Sequence, residues 1–217
     1  MRPITLAGFD RKFASDADPW STFSNRDEAV KRRAILHAIG PGPSGRVLEV
    51  AAGNGSNSAA IAPRALRLDA TEATPSGTAL VAKALGDDPR ARALTLVVPG
   101  RWPRPRYDVA VVAEVLYYLR ARDMARTARD LAAVLRPGGV LALAHHRVDY
   151  PDFVQHAGRL QHAFLLATRR RWQVRVVRRT GRWVVLSCRR ATANMGPRRN
   201  FGANETRALL GSPVRRR

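Results

Sequence analysis

The 217-residue chain has one cysteine, Cys188, three lysines (Lys12, Lys31 and Lys83) and an aromatic content of 6%. A single thiol excludes an internal disulfide framework and a cysteine-based metal site, and points to a reducing compartment. No apolar run approaches the ~20 residues that a membrane span requires. The N-terminus, charged through Arg2, Asp10, Arg11 and Lys12, has no apolar core for export. A cytoplasmic chain with no membrane segment is the expectation.

Acidic residues are also scarce, 17 against 38 basic ones, for a net charge of +21. So large a charge raises nucleic acid as a partner, because clustered arginine neutralises phosphates and releases counterions. Its distribution argues otherwise. Nearly all of it is arginine accompanied by abundant Ala, Gly and Pro, the signature of a GC-rich coding sequence. The arginines are spread over helices, the loop Arg101 to Arg106 and the C-terminal strands, without interleaved aromatics on which bases stack. Nucleic acid is therefore the disfavoured partner, and the charge bears on solubility and non-specific association. His156 and His162 stand six apart in a predicted helix, so they do not share a face as metal ligands would, and no metal is assigned.

No repeat divides the chain, and its length suits one α/β domain. Asp27 to Ile39 reads as an amphipathic helix ended by Gly40-Pro41-Gly42-Pro43. Strands are then predicted at Val47 to Ala51, Leu66 to Thr71, Ala93 to Val98, Tyr107 to Ala113 and Val140 to His145. Helices are predicted at Ser56 to Ala62, Pro75 to Leu85, Arg122 to Arg136 and about Phe153 to Thr168. Such alternation means parallel pairing. Trp172 to Val177 and Trp183 to Cys188 read instead as an antiparallel hairpin turning at Gly181. The expected architecture is a Rossmann-like, mostly parallel seven-stranded sheet with an antiparallel last strand and helices on both faces. Residues 1–45 would form an arm and helix acting as a lid, 46–190 the domain, and 191–217 a disordered basic tail.

The most specific local signal lies between Arg46 and Gly55. A short apolar strand carries Glu49 and runs into Ala51-Ala52-Gly53-Asn54-Gly55, followed by a helix-forming segment. Gly53 and Gly55 would let the backbone approach a ligand closely, and the N–H groups of the following helix favour an anionic group. Glu72 closes the next apolar run about 20 residues on, where a strand-end acid accepts hydrogen bonds from a ribose. Asp69 is the competing acid. Ser58 stands where a dinucleotide fingerprint requires its third glycine, so a nucleoside such as S-adenosylmethionine fits better than a dinucleotide.

Several separated motifs extend the pattern: Phe9-Asp10, Asp18-Pro19-Trp20, Glu114-Val115-Leu116-Tyr117-Tyr118-Leu119, Arg136-Pro137-Gly138-Gly139, Ala144-His145-His146-Arg147 and Asp149-Tyr150-Pro151. In that order, over roughly residues 8 to 190, they resemble the nodulation protein S-like family of class I S-adenosylmethionine-dependent methyltransferases. The resemblance implies methyl transfer to a small acceptor, an amine or hydroxyl of a sugar or oligosaccharide. The founding activity of the family is on a glucosamine amine of a chitin-derived oligosaccharide. By the same resemblance Glu49, Ala51, Gly53, Asn54 and Gly55 would hold the methionine end of the cofactor, Glu72 its ribose, and Trp20 would belong to a lid. Two departures stand out. Ala51 replaces a glycine, tolerable where φ is negative, and no acid occurs in Leu96 to Gly100 to meet the adenine amine.

On the acceptor side Glu114 follows the apolar strand Val109 to Ala113, at the carboxyl edge where open α/β sheets bind ligands. His145 and His146 end another strand, and alternation allows only one of them to face the pocket as a proton acceptor. Tyr117 and Tyr118 read equally as pocket lining or core. The other classes consistent with the sequence are a nucleic-acid methyltransferase, which Glu114-Val115-Leu116 disfavours by standing in place of an Asn/Asp-Pro-Pro-Tyr/Phe motif, and a binding protein without catalysis. Oligomeric state is not encoded in any of these features.

Overall fold

The computed structural model describes residues 3–192, so the expected basic tail lies outside the described residues except for Ala191 and Thr192. Two helices precede the sheet. Helix α1 (Leu6–Ser15) is capped by the Thr5 hydroxyl, and α2 (Arg26–Ile39) by the Asn25 side chain. The rest runs β1 (Ser44–Val50), α3 (Ser56–Ile61), β2 (Ala65–Glu72), α4 (Pro75–Leu85), β3 (Ala91–Thr95), β4 (Tyr107–Ala113), α5 (Ala121–Val134), β5 (Leu135–His146), α6 (Leu160–Ala167), β6 (Trp172–Arg179) and β7 (Trp183–Arg190).

The strands form one seven-stranded sheet in the order β3-β2-β1-β4-β5-β7-β6. Only β7 is reversed. It pairs antiparallel with β5 on one side and β6 on the other, so the reversed strand is inserted beside the edge and β6 forms the edge itself. Because β1 pairs in parallel with both β2 and β4, the connections leaving these strands emerge together at the switch point of the sheet. The strand residues alternate between two cores. Leu48, Val112, Leu141 and Leu143 pack with Leu131 of α5 and Phe164 of α6, while Val47, Val111 and Ala142 pack with Ile35 of α2, Ile61 of α3 and Val81 of α4.

Differences from the sequence reading have local causes. Strand β3 occupies Ala91–Thr95 rather than Ala93 to Val98, because its partner β2 ends at Glu72 and the last ladder contact is the Leu96 N–H on the Glu72 carbonyl at 2.8 Å. The last long helix starts at Leu160 rather than near Phe153. Upstream, the Val154 and Gln155 N–H groups donate to the Tyr117 carbonyl, and Asp149 captures the Ala157 N–H at 2.6 Å, so these groups are not free for a helix. Helix α1 has no counterpart in that reading.

Gly55 is a packing glycine. It caps α3 with φ +83°, and a Cβ there would lie 2.7 Å from the Ala84 Cβ and 3.0 Å from the Val81 Cα, so α4 fills the space expected for a ligand. Gly55→Ala is expected to destabilise the fold by about 2 to 4 kcal/mol, from overpacking plus the left-handed backbone. Urea denaturation measures it, and a loss below about 0.5 kcal/mol would show that α4 yields easily.

Candidate active site at the carboxyl edge of the sheet

The turn after β1 is held to the end of β2 by a carboxylate. Glu72 accepts the Gly53 N–H at 3.0 Å on one oxygen and the Thr74 N–H and hydroxyl at 3.1 and 3.2 Å on the other. Burial pushes its carboxyl up, partly offset by the Gly53 and Thr74 hydrogen bonds. Asp69, the competing acid, points to the opposite face and is held by Arg92 at 2.6 Å and the Tyr107 hydroxyl at 2.7 Å. Glu49 lies buried on the Glu72 side of the sheet. Burial raises its carboxyl to about 7, the Ser58 hydroxyl at 2.5 Å works against that rise, and the neighbouring Glu72 adds to it.

An N-terminal roof covers this turn. The Phe13 ring of α1 lies 3.9 Å from where a Gly53 Cβ would stand, and Phe9, one helical turn earlier, packs edge-on against Tyr118 at 4.9 Å. Trp20 rests on both rings, 6.0 Å from Phe9 and 5.4 Å from Phe13, and remains 38% exposed. The aromatic ring nearest the glycine turn is therefore Phe13 rather than Trp20. Its signal in the sequence is the Phe9/Phe13 spacing on one helical face. Asn54 turns away from the strand ends to latch the arm: its amide donates to the Ala17 carbonyl and to Asp18, and its oxygen accepts the Thr22 hydroxyl.

Across the edge, Glu114 follows β4 with φ +53°, in the left-handed region rarely occupied by a residue with a side chain. One oxygen receives Lys31 of α2 at 2.6 Å. The other receives the Tyr117 hydroxyl in a short hydrogen bond and the His146 N–H at 3.2 Å. Burial would raise this carboxyl, but Lys31 and then the two histidines hold it down at about 2. Its side chain is still 26% exposed. Lys31, 3% exposed, also binds Glu28 at 2.8 Å. Sequence reasoning missed it, since a lysine on an amphipathic helix ordinarily marks the solvated face.

The histidine doublet divides as strand alternation requires. His145 is 1% exposed, accepts the Leu116 N–H at 3.4 Å and meets the Gln161 amide at 3.3 Å; burial lowers its pKa to about 4, so it is a neutral core side chain. His146 lies on the other face, its Nε2 3.9 Å from Glu114. Tyr117 is in the core, stacked on Phe153, and Tyr118 is half-buried under Phe9. Among the described residues no three His, Cys, Asp or Glu side chains gather as a metal site, and no helix is long and apolar enough to cross a membrane.

Residues 48–141 match the family described as a methyltransferase domain. Nodulation protein S of Rhizobium tropici is 30% identical over 141 residues, 64% of this chain and 58% of that protein. Its counterpart in Sinorhizobium fredii (strain NBRC 101917 / NGR234) is 29% identical over 131 residues, 59% and 60% of the two chains. The matched segment thus spans about three fifths of these curated relatives. The structure of the N-methyltransferase NodS from Bradyrhizobium japonicum WM9 in complex with S-adenosyl-L-homocysteine superposes with a TM-score of 0.72 at 19% identity, covering 86% of this chain and 98% of that one. Over residues 48–141 the chain is similar to methyltransferase domains, and its fold is that of the NodS structure.

The turn after β1 departs from the pattern of the family it resembles at Ala51, which has φ +55°. The negative φ expected for an alanine there is not found. The turn enforces the left-handed conformation, because the Ala52 N–H is tied to the Thr71 carbonyl and the Thr71 hydroxyl to the Glu49 carbonyl, each at 2.8 Å. The strain is about 1 kcal/mol.

Glu49 gives the domain a stability that depends on pH. Its folded pKa of about 7 lies above its ordinary value, so the folded state keeps a proton that the unfolded chain releases. Stability from this group is complete below about 4.5 and falls as pH rises towards about 7. Glu49→Gln, which mimics the protonated acid, is expected to raise the melting temperature at pH 8 and to leave it nearly unchanged at pH 4.5. An equal gain at both pH values would show that Glu49 does not titrate in this window.

Proposed function

We propose that this chain is an S-adenosylmethionine-dependent methyltransferase acting on the amine of a small-molecule acceptor, an amino sugar or oligosaccharide being the acceptor class that the family resemblance implies. The residues present fit the cofactor. At Gly53, φ +63°, a Cβ would meet nothing nearer than Phe13 at 3.9 Å, which leaves the backbone open to close approach beside the Glu72 carboxylate. Gly53 and Glu72 would receive the nucleoside side of the ligand, with Glu49 beneath and α1 excluding water from above. When bound, the sulfonium supplies an already activated methyl group.

The single observation that carries the choice of an amine is the contact of Lys31 Nζ with Glu114 at 2.6 Å. A carboxylate paired with a buried ammonium is held ionised and is too weak a base to take a proton from a sugar hydroxyl, and the neutral, buried His145 does not reach the acceptor side. An amine attacks through its own lone pair. It needs only to be neutral and aimed, and a partly exposed, fixed carboxylate can accept one of its N–H groups and face the positive charge of the alkylammonium product. His146, on the Glu114 side, completes the acceptor wall.

Calorimetry with S-adenosylmethionine tests the cofactor half. Gly53→Val is expected to abolish binding in a folded protein, and Glu72→Ala to weaken it by about 1 to 3 kcal/mol; unchanged affinity in both variants would overturn this placement. The acceptor half is tested by methyl transfer to a panel of glucosamine, de-N-acetylated chitobiose, simple amines and sugars bearing hydroxyls only. Glu114→Gln and His146→Ala are expected to cut turnover at least tenfold while leaving S-adenosylmethionine affinity within twofold. Transfer to the hydroxyl sugars, or to RNA alone, would reject the amine reading.

A further inference from the structure

We propose that Lys31, on a helix that precedes the sheet, is the positioning residue of the acceptor site, fixing the Glu114 carboxylate in place and balancing its charge so that an acceptor amine binds neutral. The inference rests on the methyl-transfer reading above and extends it to a residue outside the motifs of the sheet.

The geometry is over-determined. Lys31 Nζ touches two carboxylates, Glu28 at 2.8 Å on its own helix and Glu114 at 2.6 Å across the sheet edge, 83 residues away in sequence. It is 3% exposed, so its charge is desolvated and acts at short range with little screening. Glu114 in turn sits in a left-handed conformation anchored by its own N–H on the Ala144 carbonyl at 2.9 Å. Without the ammonium, the hydrogen-bonding groups left on this carboxylate among the described residues are the Tyr117 hydroxyl and the His146 N–H, both on its other oxygen. A half-buried acid that loses its cation takes up a proton more readily, and a protonated Glu114 would present a donor to the amine instead of an acceptor.

The charge balance matters for the chemistry as well. A lone carboxylate in this position would bind an acceptor as its ammonium ion, which has no lone pair for attack. The ionised groups facing Glu114 are Lys31 from α2 and, when protonated, His146 from β5; His145, Tyr117 and Tyr118 also surround it, and Glu28 lies behind Lys31. With Lys31 in place the charge of Glu114 is countered at contact distance, and Glu28 lies on the far side of the ammonium, so the site keeps a hydrogen-bond acceptor whose pull towards the ammonium form is weakened.

The test combines a spectroscopic titration of the cofactor-free protein with turnover on glucosamine and de-N-acetylated chitobiose. With glutamate labelled at the side-chain carboxyl carbon and the Glu114 resonance assigned by its loss in Glu114→Gln, NMR should find this group ionised down to about pH 3 in the wild type and in Lys31→Arg. In Lys31→Met it should titrate at least two pH units higher. Turnover at pH 7 should fall at least tenfold in Lys31→Met with S-adenosylmethionine affinity within twofold, recover in Lys31→Arg, and stay within about threefold of wild type in Glu28→Gln, where Lys31 keeps its bond to Glu114. Should Lys31→Met not fold, Lys31→Gln at the same position carries the same expectation. A Glu114 titration unmoved by loss of the lysine charge overturns the inference whatever the activity, as does unchanged turnover. A wild-type protein that methylates none of the amines overturns the methyl-transfer reading itself, and with it the part given to Lys31.

Discussion

Parallel hydrogen bonding of β1 to both of its neighbours is the constraint on which the rest of the site depends. The register pairs Val50 with Thr71 on one side and with Val112 on the other, and Ala113 with Ala144 beyond it. Four strands therefore finish at nearly the same height. The glycine turn, Glu72, Glu114 and His146 are brought to one edge by backbone pairing alone, although they are separated by up to about a hundred residues of chain. The N-terminal helices then supply what the sheet lacks, apolar rings from α1 over the glycine turn and a buried cation from α2 against Glu114.

Three glutamates at this edge differ sharply although their chemistry is the same. Glu49 is buried with a single hydroxyl donor and holds its proton to about neutrality. Glu72 is nearly as buried but is fed by backbone N–H groups, which recover part of the desolvation cost. Glu114 faces a lysine and is ionised throughout the physiological range. The contrast follows the number and charge of the donors on each carboxylate rather than depth alone.

The strands and the glycine turn were legible because they depend on local pattern: apolar runs of five to eight residues, and glycines at a strand end. Glu72 and Asp69, the two acids of β2, are separated by the same local rule, since alternation along the strand puts them on opposite faces. What escaped depends on tertiary contact. Gly55 reads as a ligand-binding glycine in sequence, and only the approach of Ala84 turns it into a packing position. Ala51 reads as a residue of ordinary backbone, and the turn forces it left-handed. The start of α6 is lost to the Tyr117 carbonyl, 37 and 38 residues from the Val154 and Gln155 N–H groups it receives, and to Asp149, 8 residues from Ala157. Lys31 gives no local signal at all, because its partner Glu114 lies beyond four intervening strands of chain.

The state of Glu49 has a thermochemical consequence. A carboxyl poised at about 7 surrenders its proton when a positive charge arrives nearby, since the cation stabilises the ionised form. Docking of a cationic ligand beside it near neutral pH is then accompanied by proton release to the solvent. The observed heat of association therefore contains the ionisation enthalpy of whichever buffer takes up that proton, and differs between phosphate and Tris even where the affinity is the same.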